Sequence, residues 1–399
     1  MNLSRTKLII GIAVLALILG TAGLYWYWRP SAPESAVPAG QVGVSGRTAP
    51  FSGSSRGIGK VLPQDIGSAT SAPVSFPVAD NPAQILTRIT DFPVVSPSLD
   101  KEGKRVVFYK KNGGDLLSAD FDGGRMEKLS NLTIVGLLGA TWSPARDRAA
   151  VRYRDADTIK TFLQIGTSSV AVLPADITSI AWSPDGKSLA YTRVENGALA
   201  LAIGDQAGKN PRIVFTTPIR DARIAWPSLD RITFTTPASG FAEGYAFSYS
   251  RATRSFEKIF GPAYGLQALW SPFGAQALFA YTPRGGDRII LASYDISGRK
   301  QTKITPETLT GKCVWTAAAE VWCAVPRALS GAGPLPDTYL SGEYNSSDRI
   351  VRLDPIKNTA EEIFNEGEFD MSDLLIAAEK NYLFFIDRND GTLWSLKLQ

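Results

Sequence analysis

Residues Ile177 to Pro218 read ITSIAWSPDGKSLAYTRVENGALALAIGDQAGKNPRIVFTTP, and their layout decides the fold. Four runs rich in apolar and β-branched residues, ITSIAWS, SLAYTRV, ALALAIG and RIVFTT, are separated by PDGK, ENG and DQAGKNP, which are turn compositions. Pro184 withdraws a ladder donor and Asp185-Gly186 supplies a turn, so the first strand has to end just after Trp182. The stretch predicts a sheet of four short strands.

The unit recurs along the chain. Trp142, Trp182, Trp226, Trp270 and Trp315 follow one another at spacings of 40, 44, 44 and 45 residues, and most are followed by Ser-Pro. A fixed period of this length with four strands per repeat marks a ring of blades, in which the recurrent tryptophans pack between neighbours rather than forming a ligand cage. Two degenerate units flank the five. PVVSPSLDKEGKRVVFYKKNGGDLLSADFDGGRMEKLSN has Val95 at the tryptophan position, and LLIAAEKNYLFFIDRNDGTLWSLKL has Ile376 there. The fold class expected is therefore all-β, a seven-bladed β-propeller with four-stranded blades. The last unit stops after its third strand at Leu398, while QILTRITD, residues 84–91, matches the fourth strands of the others. That N-terminal strand is expected to complete the last blade and remove its open edge. The motif from Trp182 to Tyr191, WSPDGKSLAY, resembles the WD-repeat-like propeller repeat of TolB-type proteins, also found in the propeller domain of the dipeptidyl-peptidase IV family. The resemblance covers about residues 84–399 and degrades at Trp226-Pro-Ser and Trp315-Thr-Ala. It implies an architecture and, by analogy, a protein partner in the cell envelope. It specifies function poorly, because propellers host many activities.

The chain contains no histidine, the usual general base near neutral pH and the commonest metal ligand. GSSRGIGK, Gly53 to Lys60, holds both a G-x-S-x-G pattern and a glycine-rich G-x-x-x-G-x-G. A nucleophile elbow needs a histidine later in the chain, and a phosphate loop needs a strand before it and a helix after it. The flanks SGRTAPF and VLPQDIG supply neither, so no cofactor is expected.

The first residues, MNLSRTKLIIGIAVLALILGTAGLYWYWRP, place Arg5 and Lys7 before a stretch with no charge from Leu8 to Trp28. As a helix this stretch spans roughly 32 Å, enough for a ~30 Å hydrocarbon core; the alternative is a cleaved signal peptide with Gly20-x-Ala22 as its small-x-small site, although the apolar region is longer than usual for one. Tyr25 to Trp28 reads as an interfacial aromatic belt, and the flanking charges favour a cytoplasmic N-terminus. The organisation expected is a cytoplasmic stub and transmembrane anchor over 1–28, a flexible Pro/Ser/Gly/Ala linker over 29–83 and the propeller over 84–399. The protein is then a single-pass protein of the cytoplasmic membrane with a monomeric propeller outside. Of the formal charge of +4, Arg5, Lys7, Arg29, Arg47, Arg56 and Lys60 against Glu34, Asp65 and Asp80 account for +3, leaving +1 on the repeats. Nucleic acid is not expected as a partner.

Within the repeats one turn departs from the pattern. ALSGAGPLPDTYLSGEYNSS, Ala328 to Ser347, replaces a short turn such as KNGG, DADT or ENG. Long loops in compact domains are usually functional or mobile, and Leu335, Asp337, Tyr339, Leu340 and Tyr344 are the partner-binding candidates it carries. The alternative is that these side chains pack the insertion onto its own blade or plug the channel mouth. In EEIFNEGEFDMSD, Glu368, Asp370 and Asp373 are candidates for the channel mouth, the alternative being a solvated acidic loop without calcium-loop spacing. With two cysteines and no histidine, no metal site is expected. If the hairpin around Ala318 is centred there, Cys313 and Cys323 face each other directly, and outside the cytoplasm they are expected to form a disulfide. The function expected is binding of an envelope or surface protein by a chain that is not an enzyme. The alternative is a carboxylate-dependent hydrolase or lyase acting on an extracellular polymer at the channel mouth.

Overall fold

The structure, a computed structural model, describes residues 86–297, 299–316, 320–329 and 333–398. The segments read as anchor and linker, with GSSRGIGK, lie outside these residues. Among the described residues no helix is long and apolar enough to cross a membrane.

In the Trp182 repeat Ile177–Trp182, Ser188–Glu195, Ala198–Asp205 and Arg212–Thr217 pair antiparallel in chain order. The predicted first turn is locked by its own side chains. Ser183 Oγ donates to Asp185 Oδ1 at 2.6 Å and accepts from Ser188 N at 2.9 Å, while Gly186 takes the left-handed φ of 69° that a side chain would resist. The Leu99, Trp142 and Trp315 repeats form separate four-stranded sheets in the same order, opening with Val94–Leu99, Leu137–Trp142 and Cys313–Trp315. The Trp226 and Trp270 repeats share one seven-stranded sheet, because the single strand Phe256–Trp270 ends the first and begins the second. In the Ile376 repeat, Met371–Ala377, Tyr382–Asp387 and Leu393–Lys397 take their fourth strand from the other end of the repeat region. Leu86–Arg88 pairs there, with Leu86 opposite Leu396 and Arg88 opposite Trp394, and Arg88 adds an ion pair to Asp390 at 2.9 Å.

No single core serves all these sheets; each buries its faces against its two neighbours. Tyr109 and Val151 pack between the Leu99 and Trp142 repeats, Leu163 and Tyr191 between the Trp142 and Trp182 repeats, and Leu201 and Phe234 between the Trp182 and Trp226 repeats. The series continues through Ala246 with Phe279, Leu291 with Val351, and Ile350 with Phe385. It returns to its start where Phe384 meets Phe108. Truncating one such buried phenylalanine to alanine costs about 3–5 kcal/mol. The indoles tie neighbours as well: Trp142, Trp182 and Trp315 donate Nε1–H to the backbone oxygens of Ser96, Thr141 and Leu269 in the preceding repeats, at 2.8, 2.9 and 3.2 Å.

One alignment is corrected by the register. Leu99 lies opposite Val106 as Trp142 lies opposite Ala149 and Trp182 opposite Leu189, so Leu99, not Val95, holds the tryptophan position. Ser96-Pro97 imitates the Ser-Pro that follows the tryptophans, but it sits inside a bulge with Ser96 at φ 54°. Ile376 lies opposite Leu383, the matching place in its repeat.

Candidate functional site

The first strands of the repeats touch one another around an axis: Val94–Leu99 meets both Leu137–Trp142 and Met371–Ala377, and Cys313–Trp315 meets both Phe256–Trp270 and Met371–Ala377. Three residues before the tryptophan position stand Ser96, Gly139, Ser179, Arg223, Gln267, Lys312 and Asp373. Four of these side chains bond to the next repeat. Ser96 Oγ accepts from Ala140 N at 2.7 Å, Ser179 Oγ accepts from Ile224 N at 2.9 Å, and Gln267 Oε1 accepts from Thr310 Oγ1 at 3.4 Å. Lys312 Nζ donates to Asp370 Oδ1 at 2.6 Å and to Met371 O at 3.1 Å. Among the described residues, Arg223 and Asp373 make no such bond.

Lys312 sits in a buried polar cluster that the sequence reading missed. Its ammonium also donates to Asp348 Oδ2 at 2.6 Å, and Asp348 and Asp370 are fully enclosed. Asp370 accepts further bonds from Ser346 Oγ at 3.0 Å and Tyr339 Oη at 3.2 Å, and pairs with Arg388 at 2.9 Å. The Arg388 guanidinium lies 3.8 Å from the Tyr339 ring centroid, a cation–π contact. Burial works against the Lys312 charge, but Asp348, Tyr339 and Asp370 outweigh it and hold the ammonium above the ordinary lysine range. Burial also pushes the Tyr339 phenol up to about 12.

The insertion is built onto this cluster. Its short helix, Asp337–Ser341, presents Tyr339 to Asp370, and the preceding Leu335 is buried beside Ile289 and Leu291. Leu335 N donates to Gly286 O at 2.8 Å, and a Cβ on Gly286 would lie 2.3 Å from Leu335 O, so only glycine admits this approach. Asp337 Oδ2 accepts from Gly240 N at 2.6 Å, and half-buried Tyr344 donates its hydroxyl to Ala328 O at 2.9 Å. Of the five partner-binding candidates, Leu340 remains in solvent, 52% exposed.

The three acidic candidates do not converge. Glu368 projects into solvent with its side chain 85% exposed, Asp370 belongs to the enclosed Lys312 cluster rather than to a channel mouth, and Asp373 is solvent-accessible at the axis. Although water reaches it, the surrounding protein raises the Asp373 carboxyl above the usual carboxylate range, against a bond from Ser372 Oγ. Cys313 and Cys323 are opposite each other as expected and form a disulfide, with Cα atoms 4.1 Å apart. Among the described residues no group of three or more metal-ligating side chains is placed to hold an ion.

Among the described residues, two cavities stand out. A basin of about 550 Å³ lies at the turns that follow the tryptophan position, floored by Leu99, Trp315 and Leu375. Its rim mixes Lys101, Arg146 and Lys380 with Glu102 and Glu379. A cleft of about 720 Å³ runs along the crossing strand of the seven-stranded sheet, between Phe260, Tyr264, Tyr281 and Tyr294. The smaller basin draws on more repeats and opens beside the axial strands, where a ring concentrates distinct side chains.

Neither a family model nor a curated protein matches the chain. Solved structures do. An oligogalacturonate lyase in complex with manganese is 11% identical, covers 82% of this chain and 96% of its own, and superposes with a TM-score of 0.57. The β-propeller domain of the Trilobed protease from Pyrococcus furiosus, described as having an open velcro topology, is 14% identical over 76% of this chain and 94% of its own, with a TM-score of 0.53. TolB from Acinetobacter baumannii is 15% identical over 76% of this chain and 63% of its own, with a TM-score of 0.43. The fold is that of a β-propeller. The expectation that the chain is not an enzyme is corrected by these neighbours. A lyase carries the same fold along nearly its whole length, so a missing histidine and a missing hydrolase domain do not set catalysis aside.

Proposed function

We propose that this chain is a seven-bladed propeller, anchored in the cytoplasmic membrane by residues 8–28 and displayed outside it, that binds another envelope or surface protein. The basin at the turns beside the axis carries the reading. An indole and aliphatic floor inside a rim of both charges matches the anatomy of an interface centre, where an apolar anchor is desolvated and charges set register. The insertion supports it less, since Leu335 and Tyr339 are buried. The test is capture from detergent-solubilised membranes with the full-length chain as bait, beside a Lys101→Glu/Lys380→Glu double variant and a Leu340→Ser variant. Loss of a specific partner in the double variant alone, by about tenfold or more in affinity, supports the basin. Loss in Leu340→Ser alone moves the interface to the insertion, and no partner enriched over a bare-membrane control overturns the reading.

A carboxylate-dependent hydrolase or lyase acting on an extracellular polymer is the second reading. The favouring observation is Asp373, which water reaches at the axis while the surrounding protein raises its carboxyl. Chain cleavage of acidic and neutral polysaccharides that disappears in Asp373→Asn supports it, and activity unchanged in that variant rules Asp373 out.

A further inference from the structure

One pair of charges near the axis makes no ion pair with any described residue. Arg223 opens the first strand of the Trp226 repeat, at the position that Lys312 holds in the Trp315 repeat, and it is exposed. Arg152 lies on the second strand of the Trp142 repeat, opposite Gly139, which puts no side chain between it and the axis. Two residues along the same strand, Ala150 packs against the Trp182 repeat, so alternation turns Arg152 to that side, toward the Trp226 repeat beyond. Arg152 is half-buried, and its Nε is enclosed without an acceptor among the described residues.

Neither arginine has a hydrogen bond or ion pair from its side chain to any described residue. Exposed arginines such as Arg154, Arg212 and Arg254 share this, but for a half-buried arginine such as Arg152 it is uncommon here, since half-buried Arg105 pairs with Glu127, Arg193 with Glu195, Arg349 with Glu362 and Arg388 with Asp370. The two are also close enough to repel. Burial first, and the Arg223 charge second, loosen the hold of Arg152 on its proton. Partly burying a guanidinium without an acceptor, and setting a second one near it, destabilises the folded chain. Such an arrangement is relieved when a ligand brings the missing negative charge.

We propose that Arg152 and Arg223 form an oxyanion-binding site at the ring axis that takes the carboxylate or phosphate group of a small ligand. The guanidinium fork suits either group, since two parallel N–H donors match two oxygens of a planar or tetrahedral oxyanion. The terminal nitrogens of half-buried Arg152, which are neither enclosed nor bonded to a described residue, supply donors from the protein side, and Arg223 approaches from solvent. Arg223 lies three residues before Trp226, whereas the basin is built from turns after the tryptophan position, so the two sites are separate. The site goes beyond the partner-binding reading and does not depend on it.

The test is calorimetric titration of the full-length chain, purified in detergent and low-salt buffer, with inorganic phosphate and separately with glutarate. Saturable binding of one or both probes is expected, with phosphate alone identifying a phosphate group and glutarate alone a carboxylate. Arg152→Gln and Arg223→Gln should each weaken binding at least about tenfold, with unliganded melting temperatures equal to the parent's or higher. Arg146→Gln, at the basin, should keep the parental affinity. Should Arg152→Gln fail to fold, Arg223→Gln gives the same readout from an exposed strand end. Absence of binding by the parent, equal binding in the folded variants, or unliganded Arg223→Gln melting well below the parent would each overturn the site.

Discussion

Lys312 and Arg223 occupy the same place in two repeats of one ring, three residues before Trp315 and Trp226, and their surroundings could hardly differ more. Around Lys312 the chain assembles two enclosed carboxylates, a phenol and a second cation, and closes the assembly with the insertion. Arg223 stands near another arginine, Arg152, and makes no ion pair with a described residue. Repetition fixes where a side chain stands, and the neighbours contributed by other repeats decide what that side chain does. The buried cation is part of the framework, while the exposed one is free to meet a ligand.

Making the same substitution at both positions tests this contrast most severely. Lys312→Met leaves Asp348 and Asp370 without their shared counter-charge and should cost about 3–5 kcal/mol in urea unfolding, whereas Arg223→Met should stay within about ±0.5 kcal/mol. Equal losses would erase the distinction. Adding Asp348→Leu to Lys312→Met should recover much of the loss, because it removes the stranded charge rather than only its partner.

The disulfide sharpens the comparison by one step. It staples the first hairpin of the Lys312 repeat, closing a separation of 10 residues, and the Cys313→Ala/Cys323→Ala double variant should lose about 2–3 kcal/mol while Lys312 remains paired. Loss of the ion cluster together with the disulfide, seen as no further cost of Lys312→Met in the disulfide-free protein, would show that the covalent bond positions the charges.

A smaller effect is read in alkali. The folded Lys312 has its pKa above that of the unfolded lysine, so its contribution is fully present below the ordinary lysine pKa and falls away only as pH rises through the folded value. Urea stability of the parent should therefore hold this contribution through neutral pH and decline above about pH 10, and Lys312→Met should lack that part of the decline. Identical alkaline slopes would place the cation outside the folding balance.

Local chemistry made much of the ring legible. The Trp182 turn is specified by Ser183, Pro184, Asp185 and Gly186 without help from elsewhere, and Cys313 and Cys323 are related by the symmetry of one hairpin. The Leu99 repeat misled because Ser96-Pro97 copies two letters of the motif while its backbone bulges, and only the pairing partner reveals the offset. Leu335 and Tyr339 in an insertion look alike whether they reach solvent or fold back, and the choice was made by Gly286 and Asp370 in the two neighbouring repeats. Asp370 read as an acidic loop residue for the same reason, since Lys312 and Arg388, which enclose it, lie in other parts of the sequence.

The strand Leu86–Arg88 has a consequence in time. Arg88 and its ionic partner Asp390 are 302 residues apart, so at ~5–20 residues per second the strand exists for on the order of 15–60 s before the strand it joins has been synthesised. Until then its backbone donors and acceptors are unpaired, and so is the edge where the last sheet will stand. The earliest-made strand of the ring is the last to find its place. A ribosome that stops short of Leu396 therefore releases a chain defective at both ends of the repeat region, because losing the final strand also strands the first.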